Sequence, residues 1–255
     1  FSWSLGALTL ASCLCIQIAT NLFNDVIDFE KGADTEARKG AKRVTQSGLI
    51  SRRTVWMGAW ITLGLACLFA LPLIQARGWP ILAIGIPSLY FAFGYTGGPL
   101  PLAYRGLGEL FVVLFFGLVA VSGTYFVQTG DWSWPPVVLG LQVGMLSTVL
   151  IAVNNLRDIE EDRVANKRTL AVRLGTKFAR FEIAGLCFLP ILLGAYWFPH
   201  EKLATILPLL AGLLGIAIVS KVVRTEPSPA YNQFLGMSAL QLLAFGALFT
   251  FGILR

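Results

Sequence analysis

A chain of 255 residues that is 56% hydrophobic and only 13% charged, with a mean hydropathy of +0.70, is not a water-soluble domain, where about a quarter of residues carry charge. The net charge of +6 does not argue for a nucleic-acid partner, because the basic residues stand in loops without interleaved stacking aromatics.

The apolar residues fall into eight runs, roughly 1–23, 54–76, 79–97, 107–128, 135–155, 178–198, 203–222 and 232–253. Each approaches the ~20 residues needed to cross a 30 Å hydrocarbon core. The runs lack period-2 alternation, so they predict helices, the form that satisfies backbone groups in lipid without closing a barrel. The expected fold is all-α, a polytopic membrane helix bundle with eight visible transmembrane helices, forming a single domain over 1–255. Phe1 already lies within an apolar run with no basic lead and no cleavage site, which is unlike a signal peptide. The expectation is that the numbering starts partway into a longer chain.

Where the first run ends, the chain reads Asn21-Leu-Phe-Asn24-Asp25-Val-Ile-Asp28. At about 100° per residue, Asn21, Asp25 and Asp28 fall at roughly 0°, 40° and −20°, one narrow face. Carboxylates facing lipid are expensive, roughly 2.5–3.5 kcal/mol each at mid-bilayer. A joint purpose is a divalent cation: Mg²⁺ takes oxygen ligands from one or two carboxylates together with substrate phosphates. A polar helix end wetted by interfacial water would look the same, but a second copy follows. Asn154, Asn155, Asp158 and Asp162 close the fifth run, with Asn154, Asp158 and Asp162 at about 0°, 40° and 80°.

A loop of basic and small residues follows each acidic face. The first contains Arg43 and the second Lys167, candidates to hydrogen-bond a phosphate held by the metal, with positive-inside topology as the alternative reading of such cations. Between them lies a shorter loop with one cation, Arg105, beside Tyr104. Arg105 is a candidate for pairing an acceptor carboxylate in bidentate fashion, with anchoring of the loop at the headgroups as the equal alternative. If the spans are right, all of the 20 Lys and Arg residues except Arg77, Lys202 and Arg255 lie on one side. The positive-inside rule places that side, and both acidic faces, in the cytoplasm.

The four cysteines, Cys13, Cys15, Cys67 and Cys187, lie within apolar runs and read as packing residues. The Trp residues near span ends, Trp197 among them, read as an interfacial belt. A channel or carrier for Mg²⁺ would place ionisable groups deep in the spans, whereas these cluster at the ends. A CDP-alcohol phosphotransferase would need Gly directly after the second Asp, and Phe29 stands there.

The pairing of Asn24-Asp25-x-x-Asp28 with Asn154-x-x-x-Asp158-x-x-x-Asp162 resembles the UbiA superfamily of intramembrane aromatic prenyltransferases. Within it, Asn154 to Gly175, Tyr104-Arg-Gly-Leu-Gly-Glu109 and Asn21 to Asp34 resemble the 1,4-dihydroxy-2-naphthoate polyprenyltransferase branch. The resemblance implies nine membrane helices in two pseudo-repeated halves, here about 1–128 and 129–255, the first helix preceding this chain. It implies Mg²⁺ held by Asp25, Asp28, Asp158 and Asp162. Many members carry a further Asp where Gly32 stands, and Asp34 matches the naphthoate branch instead, making it a fifth candidate ligand. Asn21, Asn24, Asn154, Asn155, Arg43, Tyr104, Arg105 and Lys167 become the expected substrate contacts. The reaction implied is transfer of a polyprenyl group from an allylic diphosphate to an aromatic acid in the bilayer, with decarboxylation to demethylmenaquinol for a naphthoate acceptor. Homogentisate and 4-hydroxybenzoate are the alternative acceptors.

Overall fold

The computed structural model describes residues 1–33, 39–40 and 42–255, and among these the regular structure is entirely helical. Helix α1 spans Trp3–Glu30, α2 Arg52–Arg77, α3 Trp79–Gly94, α4 Gly108–Thr129 and α5 Trp134–Arg157. A short α6, Ile159–Val164, precedes α7 (Leu170–Trp197, its last turn 3₁₀), α8 (Lys202–Arg224) and α9 (Tyr231–Ile253). Seven of these are long and apolar enough to cross a membrane. The expected eighth span, α3, is apolar but has 16 residues, about 24 Å at 1.5 Å per residue and short of the hydrocarbon core.

Local chemistry sets the helix ends. The hydroxyls of Ser2, Ser51 and Thr169 accept from the backbone N–H three residues on, capping α1, α2 and α7. Prolines in the first turns of α3 and α5 occupy positions whose N–H has no intrahelical partner. Large apolar side chains such as Leu10, Leu14, Leu68, Phe181 and Leu243 are exposed along the spans. So much bare apolar surface matches a lipid environment, and the chain is an integral membrane protein.

Helix α5 is the axis of the bundle. Half of its most apolar window is buried, against 17–28% for the other spans, and it packs on α4, α7 and α9. The contact with α4 is unusually close. A Cβ on Gly117 would lie 2.3 Å from the Gly140 carbonyl oxygen and 2.6 Å from the Gly144 Cα. Only paired glycines let the two backbones meet this way, and α4 opens into a π-helical segment, Val113–Val119, along the same stretch. One consequence is that Glu109, in the first turn of α4, meets Asn155 near the end of α5. On the other side, α1 packs on α2 and α3 around Phe23, Val26 and Ala59.

One tryptophan departs from the interfacial belt. Trp197 is buried and its indole N–H donates to Gln142 Oε1 at 2.9 Å, a partner inside the bundle. Trp56, near the start of α2, is half-buried and donates to the exposed Glu30 at 3.2 Å.

Candidate active site

Helix α1 continues seven residues past its apolar run, so Asn24, Asp25 and Asp28 ride on its last two turns. Asp28 is buried, and Tyr104 Oη donates to its Oδ1 at 2.9 Å. The Thr96 hydroxyl donates to Asn24 Oδ1. Asp25 points elsewhere: its two carboxylate oxygens accept the backbone N–H groups of Val44 and Thr45 at 3.1 and 3.0 Å. Asp25 and Asp28 are about 60° apart around an ideal helix, Asn24 and Asp28 only about 40°. The pair four residues apart therefore shares the inward face, and Asp25 faces the loop that carries Arg43.

The end of α5 and the turn into α6 supply the opposite wall. Arg157 is buried and its Nε and Nη2 donate to the two oxygens of Asp158, both at 2.6 Å. The same guanidinium donates to Asn154 Oδ1 at 2.7 Å and Asn232 Oδ1 at 2.6 Å. Asp162 is buried one turn on, and Lys167 Nζ lies 3.6 Å from its Oδ1. The Lys167 loop is held by its own backbone: Lys167 N–H donates to Asp162 O at 2.8 Å and Arg168 N–H to Tyr104 O at 3.2 Å. Gly106, which ends the 3₁₀ turn Leu102–Arg105, has φ +68°, and a Cβ there would lie 2.9 Å from Arg168 O. A glycine is needed for that contact, and through it the loop stays against Tyr104.

Two adjoining clefts result, both lined by Asp28, Arg43, Asn154 and Lys167. The outer one adds Asp158, Glu161 and Asp162. The inner one, about 510 Å³ including its open mouth, adds Asn24, Tyr95, Thr96, Glu109, Ile151 and Asn155, a size in the range of small-molecule sites. Burial pushes the Asp162 carboxyl up to about 6; Lys167 opposes the rise, and Asp158 and Asp28 add to it. Burial alone would lower the Lys167 ammonium, but Asp28, Asp162 and Asp158 hold its pKa above the ordinary value. Burial and the neighbouring Asp28 also raise Tyr104, so it remains a phenol that donates.

Among the described residues, no three carboxylate, imidazole or thiol side chains converge closely enough to cage a metal ion. The donor set is nonetheless all oxygen and acidic, with Asp28 and Asp162 facing one space. It suits a hard cation that completes its shell with ligand phosphates and water, as Mg²⁺ does.

Of the expected contacts, Asp28, Asp158, Asp162, Asn24, Asn154, Asn155, Arg43 and Lys167 line the clefts, and Tyr104 braces Asp28 from beside them. Asn21 is exposed one turn before Asn24, and Arg105 is exposed with its guanidinium 3.4 Å from the Pro99 carbonyl. Asn21, Arg105 and Asp25 line neither cleft. Asp34 lies outside the described residues. Several neighbours were not anticipated: Lys31, whose Nζ sits 4.1 Å from the Tyr104 ring centre and donates to Thr96 O at 2.6 Å, and Thr96, Glu109 and Arg157. Glu109 and Arg157 are the two of these that sequence could have flagged, as charges at the very ends of apolar runs.

A model of the UbiA prenyltransferase family matches residues 1–250. The chain belongs to the UbiA prenyltransferase family. It is 32% identical over 267 residues to the 1,4-dihydroxy-2-naphthoate octaprenyltransferase of Haemophilus influenzae, covering 100% of this chain and 85% of that protein. The Bacillus subtilis protein of the same name is 36% identical over 170 residues, which span 67% of this chain and only 55% of the relative. Human UbiA prenyltransferase domain-containing protein 1 is 30% identical over 244 residues, covering 94% and 70%. The fold is shared with a UbiA homologue from Archaeoglobus fulgidus, solved bound to DMAPP and Mg²⁺, at a TM-score of 0.65, 18% identity and coverage of 98% and 88%. In this UbiA family member, the acidic ends of α1 and α5 face each other across the clefts.

Proposed function

We propose that this protein transfers a polyprenyl group from an allylic diphosphate to 1,4-dihydroxy-2-naphthoate, with loss of the acceptor carboxylate and with Mg²⁺ as cofactor. The observation that carries the reading is one space lined by Asp28 and Asp162 together with the cations Lys167 and Arg43, at the mouth of apolar helices. A diphosphate accompanied by a divalent cation has that mixture of charges. The names of the curated relatives support the naphthoate acceptor.

Asp28 and Asp162 would hold the Mg²⁺, its shell completed by phosphate oxygens and water, with the side-chain oxygens of Asn24 and Asn154 nearby and Asp158 held by Arg157. When bound, it neutralises diphosphate charge and makes that group easier to expel. Lys167, kept protonated by three carboxylates, hydrogen-bonds phosphate oxygens, and Arg43 does so from the facing loop. Both are positioned before reaction, so charge developing on the departing diphosphate is met without reorganisation. Tyr95 offers an aromatic face toward the allylic cation at the inner end, and its ring continues into Phe111 and Phe115, with ring centres 5.4 and 4.3 Å apart in turn. That apolar wall suits an isoprenoid tail and keeps water from the cation. The crowding of Lys and Arg on the side of the clefts supports a site that faces the cytoplasm.

The test is a membrane assay offering one polyprenyl diphosphate with 1,4-dihydroxy-2-naphthoate, homogentisate or 4-hydroxybenzoate. Prenylated product of the naphthoate together with CO₂ release is expected, both abolished by chelating Mg²⁺. Turnover confined to 4-hydroxybenzoate, without CO₂, would overturn the acceptor assignment.

A further inference from the structure

We propose that Glu109 receives a ring hydroxyl of the aromatic acceptor, holding it through Oε2 at the inner end of the cleft. The proposal rests on the aromatic-acceptor reading of this site. Glu109 is 6% exposed and lines the inner cleft. Its two carboxylate oxygens are treated differently: Oε1 accepts from Asn155 Nδ2 at 2.7 Å, while Oε2 is buried with no hydrogen-bond partner among the described residues. Buried acceptors are normally satisfied, and an orphan in a cleft marks a place where a ligand donor completes the set.

The neighbourhood selects the donor. Among the described residues no Lys or Arg pairs with Glu109 and no metal cage includes it. Its place in the first turn of α4 lets the helix dipole offset part of the negative charge. A second full positive charge is therefore not required there, and a neutral O–H fits. A phenolic hydroxyl is such a donor, and its bond to a carboxylate is charge-assisted. Tyr95 and Ile151 line the same end with aromatic and aliphatic surface suited to a flat ring, while Lys167 and Arg43 line the side given to the diphosphate. Asn155 fixes the carboxylate, and the touching backbones of α4 and α5 fix both residues.

A carboxylate on the hydroxyl raises electron density at the ring carbons that attack. As a ring carbon bonds to C1 of the allylic group, the C1–O bond breaks with its electron pair leaving on the diphosphate. The hydroxyl proton passes to Oε2, leaving the ring in its keto form. Glu109 thus acts as a catalytic residue that also selects hydroxylated acceptors.

The experiment uses the full chain in lipid nanodiscs with Mg²⁺. Binding of 1,4-dihydroxy-2-naphthoate and of 2-naphthoate, which lacks the hydroxyls, is measured by fluorescence on wild type and Glu109→Gln. Wild type is expected to prefer the hydroxylated ring by at least about tenfold, since a site built around a ligand hydroxyl rejects the analogue without it. Glu109→Gln should lose most of that preference, with lower kcat and a prenyl diphosphate KM within about twofold of wild type. A preference retained in Glu109→Gln, or equal weakening of both ligands together with a raised donor KM, would overturn the assignment. Glu109→Asp, which withdraws the carboxylate by one methylene, serves if the Gln variant does not fold; an undiminished preference there overturns it as well. A wild type that binds hydroxynaphthoate with this preference but prenylates none would sink the functional reading and leave the Glu109 subsite standing.

Discussion

Arg157 grips its own sequence neighbour: Nε and Nη2 each donate at 2.6 Å to a different oxygen of Asp158, and both side chains are nearly inaccessible. The guanidinium also reaches Asn154 and Asn232, tying the end of α5 to α9. Removing one member of a buried pair leaves an uncompensated charge, a loss of about 3–5 kcal/mol. Arg157→Ala should therefore lower the melting temperature in detergent markedly, by more than Asp28→Asn or Asp162→Asn. An unaltered melting curve would mean that the pair carries no structural load.

Asp25 should behave differently from Asp28. Its carboxylate holds the N–H groups of Val44 and Thr45 and so places the turn that carries Arg43. Hydrogen bonds to a charged group contribute about 1.5–3 kcal/mol. Asp25→Ala should speed hydrogen exchange at Val44 and Thr45 and raise the prenyl diphosphate KM, with some turnover left. Unchanged exchange at those two amides would refute this role.

Asp28 and Asp162 face the shared space directly, with Lys167 Nζ 3.6 Å from Asp162 Oδ1 and 5.8 Å from the Tyr104 ring centre. Asp28→Asn and Asp162→Asn should each cut kcat by about 100-fold or more, in the range for losing one preorganised electrostatic group. Lys167→Ala should raise the donor KM or lower kcat while leaving the acceptor KM near wild type. Steady-state kinetics with each substrate varied in turn separates these outcomes; near-normal turnover in both Asp variants would remove the metal–diphosphate reading.

Arg105 is exposed and rests on the Pro99 carbonyl. The expected result for Arg105→Ala is an acceptor KM within about twofold of wild type, because an exposed residue outside the cleft contributes no bidentate pairing. A tenfold rise would return the acceptor carboxylate to Arg105.

Both acidic helix ends meet at one cleft, so their loops must lie on one side of the membrane. Single cysteines at Ser47 and Val164, both exposed, in a cysteine-free background should react with an impermeant reagent from the cytoplasmic side of sealed vesicles. One at His200 should react only from the opposite side. Labelling of Ser47 and Val164 from different sides would be incompatible with the packing.

Much of the site was legible because polar residues at the end of an apolar run are costly enough to be conspicuous. Asn24, Asp28, Asn154 and Asp162 stand out on that ground, as does the cationic loop with Lys167. What periodicity could not resolve was azimuth within one turn. Asn21, Asp25 and Asp28 fall within 60° of each other on an ideal wheel, yet Asp28 enters the cleft, Asp25 ties down a loop and Asn21 is exposed. The wheel contains no information about which neighbouring segment approaches from which side.

Long continuous apolar runs without period-2 alternation determined an all-helical membrane bundle, since of the two forms that satisfy the backbone in lipid, helix and closed barrel, that pattern fits the helix. The sequence alone also determined that two acidic faces and two cationic loops exist. Only the tertiary structure decided which of these groups share a space. The glycine contact between α4 and α5 draws Glu109 onto Asn155, and the Gly106 contact with Arg168 seats the Lys167 loop against Tyr104. Both are approaches between separate helices or loops, the first between consecutive helices and the second across about sixty residues of chain. They depend on how close two backbones come, a distance that no single helix or loop encodes.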